Sequence, residues 1–275
     1  MQKTNPQKTD TMTKRILIAL ALATLTAAST YAQQPYDGNI LKGKKWAVCG
    51  DSFSSGDFKG LEESEYKIKE GRYAGKKAVY GYLIGNRNDM EIQDLTRGGR
   101  TMATPKEGNF HNAFSDSLYM TIDPDVDYIT LYFGINDSHH AGVGKDGEVT
   151  NGYIPVGTID DETKDTFYGA WNVVMKYLIE HYPFAHIGII VSNGCGIPVY
   201  PEAEIAIAKK YGVPYINLNG DERTPAMIRA VNPNLDPEIE KVRDKAMRVT
   251  EKNRHPNPKA HAYEADFIES WLRGI

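Results

Sequence analysis

The chain has 275 residues, 41% hydrophobic and 25% charged, with a formal net charge of -4. These are ordinary values for a globular protein, and they offer no surplus of cations for nucleic acid or an anionic membrane surface. No repeat at solenoid spacing, low-complexity tract, HExxH or CxxC pattern occurs, so neither a metal nor another cofactor is expected.

Residues 1–32 read as an address rather than as fold. Lys14 and Arg15 precede an apolar stretch from Ile16 to Ala28, and Thr30-Tyr31-Ala32 supplies small residues where a signal peptidase cuts. The stretch is too short for a permanent membrane anchor. Met12 would by itself give a compact leader, so the true start is either Met1 or Met12. Cleavage after Ala32 leaves residues 33–42 as a lead-in and 43–275 as one domain, exported to the periplasm or beyond.

Strand and helix signals then alternate. Lys45 to Cys49, Glu91 to Leu95, Tyr128 to Phe133, Ile187 to Ser192 and Pro214 to Leu218 are short, mostly apolar runs suited to strands covered on both faces. Between them, Phe167, Ala170, Trp171, Val174, Met175, Leu178 and Ile179 recur at helical spacing from Thr166 to Tyr182. Pro201 to Tyr211 predicts a helix opening on proline, with Glu202 and Glu204 in its first turn. Pro258 to about Arg273 predicts a last helix burying Ala262, Ala265, Phe267, Ile268 and Leu272. The alternation predicts a three-layer α/β/α sandwich around a five-stranded parallel sheet. In a flavodoxin-like order, 2-1-3-4-5, the third strand separates the two cysteines, Cys49 and Cys195, beyond disulfide reach, so both are expected as buried free thiols. Two polar connections, Ser138 to Asp165 and Gly220 to Thr250, interrupt the pattern and are expected to shape a pocket.

Four segments carry chemistry. Val48 to Gly56 reads VCGDSFSSG and sets Ser52 where the first strand ends. Gly98-Gly99 follows the second strand, Gly134-Ile135-Asn136-Asp137 the third, and His255-Pro256-Asn257 precedes the last helix. In this order they resemble the four blocks of the SGNH (GDSL-type) hydrolases, a family of esterases and acylhydrolases. The resemblance implies that Ser52 is the nucleophile, that His255 is its base, and that Ser52 N–H, Gly99 N–H and the Asn136 amide hold the oxyanion. Asp51 and Asp137 are then loop anchors. His261, inside the last helix, is expected to be a packing residue, and His139 and His140 follow the third block as loop residues.

One position departs from the family pattern. The aspartate usual three residues before the histidine is Lys252 here, a cation where a carboxylate normally stabilises imidazolium. Three arrangements remain open: a Ser-His dyad oriented by a backbone carbonyl, Glu251 reaching the ring, or loss of hydrolytic competence. The implied function is an exported serine esterase acting on a small-molecule or glycan ester, acetyl esters included. The alternatives are a lysophospholipase-like or short-chain esterase, and a non-catalytic glycan-binding protein on a degenerate scaffold.

Overall fold

The computed structural model describes residues 38–104, 113–139, 142–143, 149–150 and 154–275. The expected leader, residues 33–37 of the expected lead-in and His140 lie outside the described residues. Leu41–Ile275 pack as one unit.

Five strands, β1 (Lys45–Gly50), β2 (Glu91–Thr96), β3 (Tyr128–Tyr132), β4 (His186–Val191) and β5 (Tyr215–Asn217), form one sheet. Their order is β2-β1-β3-β4-β5 and every pairing is parallel. This is the expected flavodoxin-like order, and the physical reason is visible in the burial. Strand β3 is buried at every position and β1 and β4 nearly so, whereas the edge strand β2 alternates between exposed and half-buried, which is why its apolar signal is weak.

Helices cover both faces. On one, α2 (Tyr80–Asn88) packs with α7 (Pro258–Leu272). Trp46 there meets Tyr80 and donates its indole N–H to Thr130 Oγ1 at 3.0 Å. On the other, α4 (Phe167–His181) packs with α5 (Val199–Tyr211), and Trp171 meets Phe133 edge-on. Between these come two short helices at the strand crests, α1 (Ser52–Ser55) after β1 and α3 (Ile135–His139) after β3. Cys49 is level with Leu131 of β3, which is level with Ile189 of β4, so a whole strand lies between β1 and β4. Both cysteines are buried and free.

Several sequence expectations need correction. Helix α5 begins at Val199, before Pro201, so Glu204 lies beyond the first turn. It is buried and binds the end of β4, its Oε2 accepting from Ser192 N at 2.7 Å and from Ser192 Oγ at 3.0 Å. The connection from Gly220 to Thr250 contains a helix, α6 (Pro237–Met247), started by Asp236 as N-cap and Pro237 just inside. No α6 residue is fully buried, so no apolar stripe announces it, and Pro237 marks a helix start inside that polar connection. In α7, Ala262 and Phe267 are only half-buried while His261 and Glu264 are buried.

One glycine is required for the crests to meet. Gly134 follows β3 with φ 118, and a Cβ there would lie 2.6 Å from Ser192 Oγ and 3.0 Å from Glu204 Oε1. Gly134→Ala should destabilise the fold by about 2–3 kcal/mol through backbone strain and overpacking together, read as a lowered urea midpoint.

Candidate active site

Strand β1 ends at Gly50, and the chain turns at once into α1. Asp51 caps that helix, its carboxylate accepting from Phe53 N at 2.8 Å, and Ser52 is the first helical residue. Asp51 is fully buried, and burial pushes its carboxyl up to about 8 against the pull of that backbone donor. It serves the turn, as expected, and has no contact with the histidine ring. Ser52 Oγ lies 2.9 Å from His255 Nε2, joining residues 203 positions apart in sequence.

The second and third segments are tied to each other. Asn136 in α3 donates one amide N–H from Nδ2 to Arg100 O at 2.9 Å, which leaves its other N–H free to turn toward the cleft. Beside it, buried Asp137 accepts from Met102 N at 2.9 Å and Ala103 N at 2.9 Å. Burial raises its carboxyl to about 7, and those backbone donors oppose the shift. These bonds bolt the Gly98–Ala103 segment to the crest of β3. Gly99 itself is exposed, with φ 75 and open space where a Cβ would stand. Ser52, Gly98, Gly99, Asn136 and His255 all line one cleft of about 640 Å³.

His255 precedes Pro256, and α7 starts only at Pro258 with Asn257 as its N-cap. The ring is therefore on the entering loop, held by a bridge between Arg248 and Pro256 and by Val249 N donating to His255 O at 3.0 Å. Its far nitrogen, Nδ1, faces Asn253 Oδ1 at 2.7 Å. The Asn253 amide is oriented by its other end, where Nδ2 donates to Asp57 O at 3.0 Å and Lys59 O at 3.1 Å. With Oδ1 thus turned to the ring, Nδ1 carries the proton and Nε2 presents its lone pair to Ser52. The carboxylate nearest to the ring is Asp57, Oδ2 lying 3.8 Å from Nδ1.

This corrects the expectation for the orienting group. Glu251 is exposed and pairs with Arg248 at 3.2 Å. Lys252 is exposed as well. The ring faces neither a backbone carbonyl nor Glu251; a side-chain amide two residues before it and the Asp57 carboxylate, from the turn after the helix of Ser52, take that place. Both were missed because sequence reasoning looked three residues upstream of the histidine. Asn253 lies one residue nearer to the histidine than the family pattern places the carboxylate, and no spacing rule connects Asp57 to His255.

Burial lowers the His255 pKa from its ordinary 6.5; Asp57 opposes this, and Arg229 and the neighbouring histidines His261 and His139 add to it. His261 is buried against Phe58 and Tyr80, with Glu264 Oε1 2.6 Å from its Nδ1, and so is the packing residue anticipated. His139 lines the cleft. Among the described residues no group of three or more His, Cys, Asp or Glu is placed to hold a metal, and no helix is long and apolar enough to cross a membrane.

Known structures share this architecture. A Lactobacillus plantarum protein is 23% identical with TM-score 0.56, the match covering 85% of this chain and 98% of that one. A putative GDSL-like lipase from Bacteroides ovatus is 15% identical with TM-score 0.54, over 84% and 99% of the two chains. The chain has the SGNH hydrolase fold. A family two carbohydrate esterase from Clostridium thermocellum, in complex with cellohexaose, matches this fold at 13% identity and TM-score 0.52, over 84% of this chain and 64% of that one. No protein-family model and no curated protein matches the sequence.

The ring's surroundings can be tested without any substrate. NMR titration should find His255 below 6.5; Asp57→Asn should lower it further by removing a stabilising anion, and Arg229→Gln should raise it by removing a cation.

Proposed function

We propose that the protein is an exported serine esterase that cleaves carboxylic esters through an acyl-enzyme intermediate. The observation that carries this reading is the 2.9 Å contact between Ser52 Oγ and His255 Nε2 at the mouth of a cleft also lined by Gly99 and Asn136. A hydroxyl is inert until a base takes its proton, and the tautomer held by Asn253 leaves Nε2 free to do so.

In the first half-reaction Ser52 Oγ attacks the ester carbonyl carbon while its proton moves to His255 Nε2. The carbonyl oxygen becomes an oxyanion, met by Ser52 N–H, Gly99 N–H and the free Asn136 amide N–H. The imidazolium then has Asn253 Oδ1 and the Asp57 carboxylate at Nδ1, one fixing its plane and the other offsetting its charge. Collapse of the intermediate expels the alcohol, which takes the proton back from Nε2. Water, deprotonated by the same nitrogen, releases the acid and restores Ser52.

A carbohydrate ester, an acetyl ester among them, is the substrate we favour, because the cleft is polar and open and the fold is shared with a carbohydrate esterase. The leader of residues 1–32 supports delivery outside the cytoplasm. A non-catalytic reading drew its motive from Lys252, but that side chain points to solvent while Asn253 and Asp57 occupy the ring's far side.

Hydrolysis of 4-nitrophenyl acetate tests the proposal. Ser52→Ala should lower kcat/KM by at least about a thousandfold, and Asn136→Ala by about 10²–10³. Asn253→Ala should cost about a hundredfold, while Glu251→Gln should stay within about twofold, since its ion pair is exposed. Equal rates for wild type and Ser52→Ala would overturn the esterase reading. The acidic limb of the pH profile should lie below 6.5, because the base is the neutral imidazole and burial disfavours its protonation.

A further inference from the structure

We infer that the cleft contains an anion subsite centred on Arg229, and that the alcohol part of the substrate carries an anionic group such as a sugar carboxylate; this rests on the esterase reading above. Arg229 lines the cleft together with Ser52, Asn136 and His255. It is half-buried, and among the described residues its guanidinium makes no hydrogen bond or ion pair. Its backbone has φ 56, a left-handed conformation that costs a non-glycine residue energy. That conformation is held from both sides, by Gly194 N donating to Arg229 O at 2.8 Å and by Asn193 Nδ2 donating to Ile228 O at 2.7 Å.

A half-buried arginine with no protein partner gives up part of its hydration without a compensating bond, and an anion in the cleft would supply one. The carboxylate that most affects Arg229 is Asp244, but its ion pairs are with Arg254 at 3.1 Å and Arg248 at 3.8 Å, both on Oδ2, and not with Arg229. Burial and Arg254 both weaken the charged form of Arg229. An incoming carboxylate or sulfate would relieve both, with the planar guanidinium donating two parallel hydrogen bonds.

The surrounding charge points the same way. The cleft continues past His255 into a groove lined by Asp57, Lys59, Arg229, Lys252, Asn253 and Arg254. Of its nine lining residues four are cations and one is an acid, on a chain whose net charge is -4, and of the four Arg254 is paired with Asp244. Such a mouth concentrates anions against the protein's overall field.

Placement identifies the half of the ester that is charged. Gly99 and Asn136 line only the first cleft, Lys252 and Arg254 only the groove, and Arg229 and Lys59 border both, so an oxyanion held by Gly99 and Asn136 lies away from Lys252 and Arg254. His255 borders both, and it must protonate the leaving oxygen. The alcohol therefore departs on the histidine's side, toward Arg229, Lys59 and Lys252.

The test uses matched monoacetylated methyl glycosides of glucose, glucuronic acid and glucose 6-sulfate, with the acetyl group on the same hydroxyl. Wild type should prefer at least one anionic ester by about tenfold or more in kcat/KM, the factor one charge-assisted hydrogen bond supplies, expressed in KM. The two anionic arms separate a carboxylate site from a sulfate site. The anionic-to-neutral ratio should fall toward one in Arg229→Gln and at high salt, and should fall partway in Lys59→Gln/Lys252→Gln, whose exposed side chains do not hold the fold. A ratio near one in wild type, or one unchanged by Arg229→Gln, would overturn the subsite while Ser52-dependent hydrolysis of 4-nitrophenyl acetate left the esterase reading standing. If no ester is cleaved, calorimetry with the methyl glycosides of glucuronic acid and glucose decides the subsite alone: equal affinities overturn it, and tighter uronate binding that is lost in Arg229→Gln supports it.

Discussion

The Asn253 side chain is the joint on which the site depends. Its two ends have different chemistry, and the amide N–H end is fixed on the carbonyls of Asp57 and Lys59. Those carbonyls follow α1, the helix that begins with Ser52. The ring is thus positioned relative to Ser52 by reference to the turn that follows Ser52's own helix, α1, not through the whole body of the protein. A neutral amide orients as well as a carboxylate does but cannot offset imidazolium charge, and Asp57 supplies that at 3.8 Å. Orientation and charge, combined in one aspartate in a conventional triad, are here divided between two residues.

Buried carboxyl groups hold the crests of the sheet in register. Asp51 closes the turn after β1, Asp137 draws the Met102–Ala103 backbone to the end of β3, and Glu204 clasps Ser192 at the end of β4. Burial raises all three above the ordinary carboxyl range. Each is tolerated because it receives backbone N–H donors, at a helix start for Asp51, in a loop for Asp137 and at a strand end for Glu204. Gly99 and Asn136 inherit their mutual positions from these bonds, since they sit on segments that Asp137 and the Asn136–Arg100 bond join.

Much was legible in the sequence, and the reason is periodicity. The strands buried on both faces are nearly continuous apolar runs, so β1, β3 and β4 were found within a residue or two, and the stripe of α4 was equally plain. Segments without a buried face were not. Helix α6 has no buried residue, and its Asp-Pro start stands in a polar connection without an apolar stripe behind it. Glu204 looked like a helix-end charge because the sequence cannot tell a dipole partner from a buried clasp.

The sequence by itself determined the alternation of strands and helices, the position of Ser52 at a strand's end, and the placement of His255 outside the last helix, because proline and apolar spacing act locally. Tertiary structure alone decided which groups face the far side of the imidazole and which cation enters the cleft. Asn253 meets Asp57 across 196 positions, and Arg229 joins His255 only when two loops fold over the same crest. Contacts between distant segments depend on how the loops pack, and no local pattern of residue types encodes that.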